Sequence, residues 1–497
     1  SMKQKYPDGE VIAPGTVIIS AAGNCSNINQ VIEPVLQKEE GAVYYINFSK
    51  DDFKLGGSSF AQTFNKIGTS APSIKNNVAF AKAFDAIQKL IKEEKIVAGH
   101  DVASGGLITT LLEMCFAEPD LSASFDFSAF SEKDLIKILF AENAGIVFQA
   151  AANSDVEEFL NQQQIECFKI GKVTSGEILE IKKDSIEVGL NIPSLRQKWF
   201  RTSYLLDQKQ TANNLATARF ENFAQQALKF DFPTHFTGKK PALEGLKSRP
   251  KAAILREKGS NSEREMANAM FLAGFDVKDV HMTDLISGRE TLEDIQFIGA
   301  VGGFSNSDVL GSAKGWAGAF LYNEKANTAL KNFFARPDTL SVGICNGCQL
   351  FAELDLLYPE HEEKPKMLHN DSHKHESGFT SVTIAENDSV MLSTLAGTTL
   401  GVWISHGEGK FHLPLSEENY KIVAKYGFDS YPANPNNSAY NTAMMSDKTG
   451  RHLVTMPHIE RSIFQWNWAN YPKGRKDEVS PWLEAFENAR KWIEEQE

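Results

Sequence analysis

The run Leu340-Ser341-Val342-Gly343-Ile344-Cys345-Asn346-Gly347-Cys348-Gln349-Leu350-Phe351 constrains the fold more than any other part of this 497-residue chain. An apolar strand passes through Gly-x-Cys-x-Gly straight into an apolar helix, with no residues left over for a loop. Such a turn needs small residues on both sides, because the residue at its apex holds a strained backbone between strand and helix. Strands that feed directly into helices build parallel sheets. The neighbouring sequence has the same grammar. Lys251-Ala252-Ala253-Ile254-Leu255, Val277-Lys278-Asp279-Val280 and Phe297-Ile298-Gly299-Ala300-Val301 read as strands, and 261–273 as a helix. The expectation for residues 249–497 is a doubly wound parallel sheet.

The chain is too long for one core, since single cores stop growing near ~250–300 residues. Residues 1–205 form a first module of mixed type, α/β or α+β. Its expected strands are Thr16-Val17-Ile18-Ile19-Ser20, Ala42–Phe48 and Ile146–Ala150, with a long amphipathic helix over 77–95. Between the two, residues 206–248 are rich in Gln, Asn, Thr, Lys and Pro and read as a linker. The net charge of −13 lacks the basic footprint of a nucleic-acid binder, and no run approaches the ~18 apolar residues of a membrane span. No charged-then-apolar leader opens the chain, and five cysteines make no disulfide framework, so the expected compartment is the reducing cytoplasm. Ser1 before Met2 has the form of a cleaved tag's scar, and the chain reads as a piece of a longer one.

The chemistry begins at Cys345. The helix N-terminus behind it favours a thiolate, and the N–H of Asn346 points where an oxyanion would form. A thiolate nucleophile needs a base, and the base needs an orienting group. Met456-Pro457-His458-Ile459-Glu460 ends an apolar strand and offers both; in an extended segment, His458 and Glu460 share a face. Two other readings use the same cysteine. Cys345-Asn346-Gly347-Cys348 is a C-x-x-C redox pattern. With His369 and His373 it imitates a zinc spacing, although the gap of 369 − 348 − 1 = 20 residues exceeds the usual ~12–15.

Cys345, His458 and Glu460 resemble the triad of the class I glutamine amidotransferases. Further motifs narrow the resemblance to the phosphoribosylformylglycinamidine synthase family. Gly302-Gly303-Phe304-Ser305-Asn306-Ser307-Asp308-Val309-Leu310 is similar to its G-G-F-S-Y-G-D-x-L stretch, Ser405-His406-Gly407-Glu408-Gly409-Lys410 to its H-G-E-G-R, and Tyr431-Pro432-Ala433-Asn434-Pro435-Asn436 to its Y-P-x-N-P-N-G. In the first module, Leu55-Gly56-Gly57-Ser58 and His100-Asp101-Val102-Ala103-Ser104-Gly105-Gly106-Leu107 resemble the second aminoimidazole-ribonucleotide-synthetase-like C-terminal module of the family's long single-chain form.

The resemblance implies an α+β module followed by a class I glutaminase domain. It implies glutamine hydrolysis through a glutamyl thioester, with the ammonia passed to formylglycinamide ribonucleotide at an ATP-dependent site in the missing amino-terminal portion. It assigns the oxyanion hole to Gly303 and Asn346, and glutamine contacts to Gln349, Ser405, His406 and Gly407. In the first module it implies an auxiliary nucleotide site, with phosphate on Gly56, Gly57 and Ser58 and Mg²⁺ on Asp101. The full enzyme would use Mg²⁺ and ATP/ADP, whereas the triad needs no cofactor. Nucleic acid and membrane are not expected partners. The alternatives are a triad amidotransferase of another pathway or a non-catalytic scaffold.

Overall fold

A computed structural model describes residues 3–12, 18–244 and 248–496. The chain divides into two compact units, one up to Trp199 and one from Phe200. The division falls within the helix Ile192–Asp207.

The first unit is built on a seven-stranded sheet. Its strand order is Ile96–Asp101, Gly145–Ala150, Val43–Asn47, Phe168–Thr174, Ser122–Asp126, Ile178–Lys183, Ile186–Asn191. All neighbours pair antiparallel except Ser122–Asp126 with Ile178–Lys183. The strand Val43–Asn47 is buried from Val43 to Ile46 because both faces of the sheet are covered. Val43 and Tyr45 pack with Leu107, Leu111, Met114 and Ile138, from the helices Gly106–Phe116 and Leu135–Phe140. Tyr44 and Ile46 point the other way, onto Ala83, Ile87 and Leu90 of the helix Asn77–Lys92. The segment around Ile18-Ile19 is not a strand. Both side chains stand in solvent, 87% and 86% exposed, and Thr16 and Val17 lie outside the described residues. An apolar run makes a strand only where a neighbour pairs with it. Lys3–Tyr6 and Gly9–Ile12 do pair, as an exposed antiparallel hairpin.

The second unit carries a nine-stranded mixed sheet. Five strands run parallel in the order Asp276–His281, Lys251–Arg256, Phe297–Ala300, Leu340–Ile344, His452–Thr455. Four antiparallel strands extend it: Thr442–Ser446, Lys421–Tyr426, Glu376–Ile384 and Thr399–His406. The parallel half is the expected doubly wound part, and the antiparallel extension was not anticipated. Chain order reverses between Lys251–Arg256 and Phe297–Ala300, and ligands of such sheets bind beyond the carboxyl ends of the strands near that point. Residues 206–248, read as a linker with one or two helical turns around Ala216 to Leu228, contain the helix Leu215–Asn222 and fall within this unit.

Candidate active site

Three neighbouring parallel strands, Phe297–Ala300, Leu340–Ile344 and His452–Thr455, end side by side. Each delivers one part of the site just past its carboxyl end: Gly302-Gly303, Cys345, and His458 with Glu460.

Cys345 sits at φ 52°, ψ −103° between the strand Leu340–Ile344 and the helix Asn346–Glu353. A non-glycine residue there stores roughly 1–3 kcal/mol of strain. The surrounding sheet holds it, since the Cys345 N–H donates to the Thr455 carbonyl at 2.8 Å. The flanking glycines are there for space. A Cβ on Gly347 would lie 2.1 Å from the Ala300 oxygen, and one on Gly343 2.6 Å from the Gly347 oxygen. Asn346 opens the helix, where a backbone N–H has no intrahelical partner. Gly303 pairs with Ser260 through flanking bonds, Asn261 N–H to Gly302 O and Phe304 N–H to Gly259 O. That pattern leaves the Gly303 N–H itself unused by the pairing.

His458 and Glu460 are buried and joined by Nδ1 to Oε1 at 2.7 Å. The expected pair is present, but by a different route. Glu460 lies in a short 3-10 turn, Ile459–Arg461, rather than in an extended strand. The His458 N–H is tied to the Trp403 carbonyl at 2.8 Å. Burial disfavours a charged imidazole, yet the Glu460 carboxylate and Cys345 outweigh it and push His458 up to about 10. Burial likewise opposes the Glu460 charge, but His458 prevails and holds its carboxyl below the ordinary range. His458 Nε2 has no hydrogen-bond partner among the described residues. Cys345 packs beside that ring, because a Cβ built on Gly302 would touch His458 Cε1 at 2.7 Å and Cys345 Cβ at 3.4 Å. The Cys345 thiol also approaches the Ser405 carbonyl at 3.4 Å.

Cys345 opens into a pocket of about 230 Å³ lined by Gly303, Asp308, Gln349, Ser405, His406, Gly407 and Glu408, among others. The sequence-derived glutamine contacts therefore converge with the nucleophile, but in different conditions. Gln349 is engaged at both ends: its Nε2 donates to the Glu408 carbonyl at 2.8 Å and its Oε1 accepts from Asn346 Nδ2 at 2.9 Å. It braces the wall. His406 is buried with neither ring nitrogen bonded among the described residues. Burial, with the neighbouring His458 and His375, brings it down to about 3, so it is neutral.

Asp308, Lys374 and His375 also line this pocket and were not singled out as site residues; His369 and His373, considered only in the zinc spacing, line it as well. Burial raises the Asp308 carboxyl, and its Oδ1 is buried without a partner among the described residues. Its place inside the G-G-F-S stretch was the available signal. Cys348 faces the core, where burial pushes its thiol well up. Cys345 and Cys348 are both free thiols, and among the described residues no three His, Cys, Asp or Glu side chains cluster as metal ligands.

In the first unit the residues expected to hold a nucleotide are engaged elsewhere. Gly56, Gly57 and Ser58 have no N–H groups to offer a phosphate, because these donate to Ser70 O (2.9 Å), Ile67 O (2.6 Å) and Leu55 O (3.3 Å). The Ser58 hydroxyl donates to Leu55 O and caps the helix Ser59–Thr63, accepting from the Ala61 N–H. The next N–H groups, of Ser59 and Gly105, already hold an anion: both donate to Glu142 Oε1, at 2.7 and 2.8 Å. Asp101 stands exposed, 3.3 Å from His100 Nδ1, and the other ring nitrogen of His100 lies 3.2 Å from Glu113 Oε2; among the described residues no three such side chains cluster as metal ligands. These residues do not fit a nucleotide with Mg²⁺.

Residues 249–493 match the family model of CobB/CobQ-like glutamine amidotransferase domains, and residues 52–184 that of the C-terminal domain of AIR synthase related proteins. An amidotransferase domain preceded by that module is the class the fold and site define. Among curated proteins, the chain is 36% identical to a probable phosphoribosylformylglycinamidine synthase, chloroplastic/mitochondrial, of Arabidopsis thaliana, over 98% of this chain and 37% of that protein. It is 35% identical to the probable synthase of Caenorhabditis elegans (97% and 40%) and to the Homo sapiens synthase (99% and 39%). Over nearly its whole length the chain is similar to phosphoribosylformylglycinamidine synthases, and it spans about two-fifths of the length of these relatives.

Proposed function

We propose that this chain is the glutamine-hydrolysing, ammonia-supplying part of a phosphoribosylformylglycinamidine synthase, working in purine biosynthesis in the cytoplasm. One observation carries the reading. A strained Cys345 lies beside a buried His458–Glu460 pair and lines a small pocket with Asp308, Glu408 and His406.

The Cys345 thiolate attacks the side-chain amide carbon of glutamine. The tetrahedral oxyanion lies against the N–H groups of Gly303 and Asn346, donors worth roughly 2.7–4 kcal/mol each. Protonated His458 gives its proton to the departing –NH₂, which leaves as ammonia, and a glutamyl thioester remains. Water attacks the thioester with His458 now accepting its proton. Glutamate leaves and the cysteine is restored. Glu460 keeps the imidazole oriented and balances its charge through both halves. Asp308 and Glu408 give the substrate's α-ammonium its counter-charge, while Ser405, His406 and Gly407 shape the wall. The portion present in the longer relatives would supply the site for ATP, Mg²⁺ and formylglycinamide ribonucleotide and would accept the ammonia. Among the described residues, no helix is long and apolar enough to cross a membrane.

The test is peptide-level mass after exposure to a diazo-ketone glutamine analogue. An adduct on Cys345 alone, competed by glutamine and absent in His458→Ala, is the expected result. A Cys345–Cys348 disulfide or bound zinc in place of the adduct would refute the triad. Adding the remaining portion of the enzyme then separates this synthase from an amidotransferase of another pathway, by whether amidine forms.

A further inference from the structure

We infer that Asp207 and Arg219 are positioning residues for the glutamine pocket, acting through the loop 371–376; this rests on glutamine being the substrate.

Neither residue lines the pocket, yet both grip a segment that does. His373, Lys374 and His375 face Cys345 across the cavity. From behind, Asp207 Oδ1 takes Lys374 Nζ at 2.6 Å, and its Oδ2 takes Arg219 Nη1 at 3.0 Å. The other arm of Arg219 reaches Glu376 Oε2 at 2.8 Å and meets the Tyr431 hydroxyl, which itself donates to Glu376 Oε1 at 3.0 Å. Two further bonds fasten the loop's main chain. The Ala212 N–H donates to Ser372 O at 2.9 Å, and Asn213 Nδ2 to Asp371 O at 2.7 Å. The path on to the nucleophile is short. His375 Nε2 lies 3.0 Å from Ser405 Oγ, Glu376 pairs with His406 in the sheet, and the Ser405 carbonyl accepts from the Cys345 thiol.

The burial of this network distinguishes it from a surface decoration. Asp207, Glu376 and Tyr431 are all under a tenth exposed. A buried ionic network is weak evidence of stability, because desolvation offsets much of its attraction, but a fully bonded one fixes a single geometry. Here the geometry fixed is that of a pocket wall. The loop carries no regular structure from Asn370 to His375. Further ties lie at its start: Asn370 bonds His406 O, Lys374 O and the Gly409 N–H, and Asp371 takes Lys410 Nζ at 2.7 Å and Asn437 Nδ2 at 2.5 Å, whereas the Lys374 and Glu376 side chains are held by Asp207 and Arg219.

The experiment measures how fast the diazo-ketone analogue inactivates Cys345 of the whole chain as its concentration rises. Iodoacetamide alkylation of Cys345 and the melting temperature are followed alongside. Arg219→Ala should raise the half-saturating analogue concentration about tenfold while the limiting rate and the iodoacetamide rate stay within about twofold. Arg219→Lys should restore most of the affinity. Asp207→Asn, nearly isosteric, should show the same split if Arg219→Ala folds poorly. An unchanged half-saturation in both Arg219→Ala and Asp207→Asn overturns the inference. So does a joint fall of affinity, limiting rate, alkylation and melting temperature that Lys does not rescue, since that marks a structural role alone. If iodoacetamide modifies the wild-type Cys345 and the analogue does not, the glutamine reading fails first and takes this one with it.

Discussion

Replacing Glu460 by Gln tests the core of the mechanism with one atom changed. The amide keeps its size and can still present an oxygen to His458 Nδ1, now 2.7 Å away. What goes is the negative charge. In this site that charge does two things: it orients the ring with Nε2 toward Cys345, and it outweighs the burial that would otherwise strip the imidazole of its proton. An amide can also turn its NH₂ toward the ring and impose the wrong tautomer. In serine-protease triads the corresponding Asp→Asn change costs about 10⁴-fold, and the pair here is buried. A comparable loss corresponds to about 5 kcal/mol of transition-state stabilisation at 1.36 kcal/mol per tenfold. The assay is the pH dependence of analogue inactivation and of glutamate release. Wild type should hold its basic limb near the His458 value of about 10, and Glu460→Gln should bring the limb toward neutrality together with the rate loss. Stability should follow the same sign. The folded value lies above the ordinary 6.5, so the imidazolium's contribution is complete below pH 6.5 and is lost as pH rises through about 10. Wild type should therefore lose its thermal advantage over Glu460→Gln between those values. A rate within tenfold of wild type, with an unmoved basic limb, would refute the reasoning.

Three further outcomes are expected. Gly347→Ala should lower the melting temperature and block analogue labelling, because its Cβ would meet the Ala300 oxygen at 2.1 Å, and overpacking of this kind costs roughly 1–3 kcal/mol; normal labelling and melting would contradict it. Glu142→Ala should destabilise the first unit by roughly 1–3 kcal/mol, by leaving the N–H groups of Ser59 and Gly105 without their shared acceptor, as measured by hydrogen exchange at those two amides. Cys348→Ala should leave the labelling of Cys345 intact within about threefold, since a buried cysteine acts as a small hydrophobe rather than a redox partner; loss of labelling would revive the C-x-x-C reading.

The elbow was legible because steric demand writes itself locally: Gly343, Cys345 and Gly347 are contiguous, and no other turn accommodates them as well. The His458–Glu460 pair was legible by spacing, though the extended backbone invoked for it proved to be a turn. Asp207, Arg219 and Glu376 were not. They are joined across more than 150 residues, and an isolated Arg or Asp in a polar stretch carries no mark of its distant partner. The Gly56-Gly57-Ser58 loop is the opposite case. Its small residues suit a phosphate cradle, but the carboxylate filling the neighbouring position comes from Glu142, far along the sequence. Ile18 and Ile19 show the limit of apolarity alone.

That the nucleophile and its base hang from adjacent strands has a consequence in time. Cys345 precedes His458 by 458 − 345 = 113 residues, so during synthesis the thiol leaves the ribosome well before its proton acceptor exists. The strand His452–Thr455 must slide in between Leu340–Ile344 and Thr442–Ser446 before the Thr455 carbonyl can hold the Cys345 N–H. Until that strand docks, Cys345 has neither the backbone bond that fixes its strained turn nor His458 beside it, so the site is assembled only by the last strand of the sheet to be made.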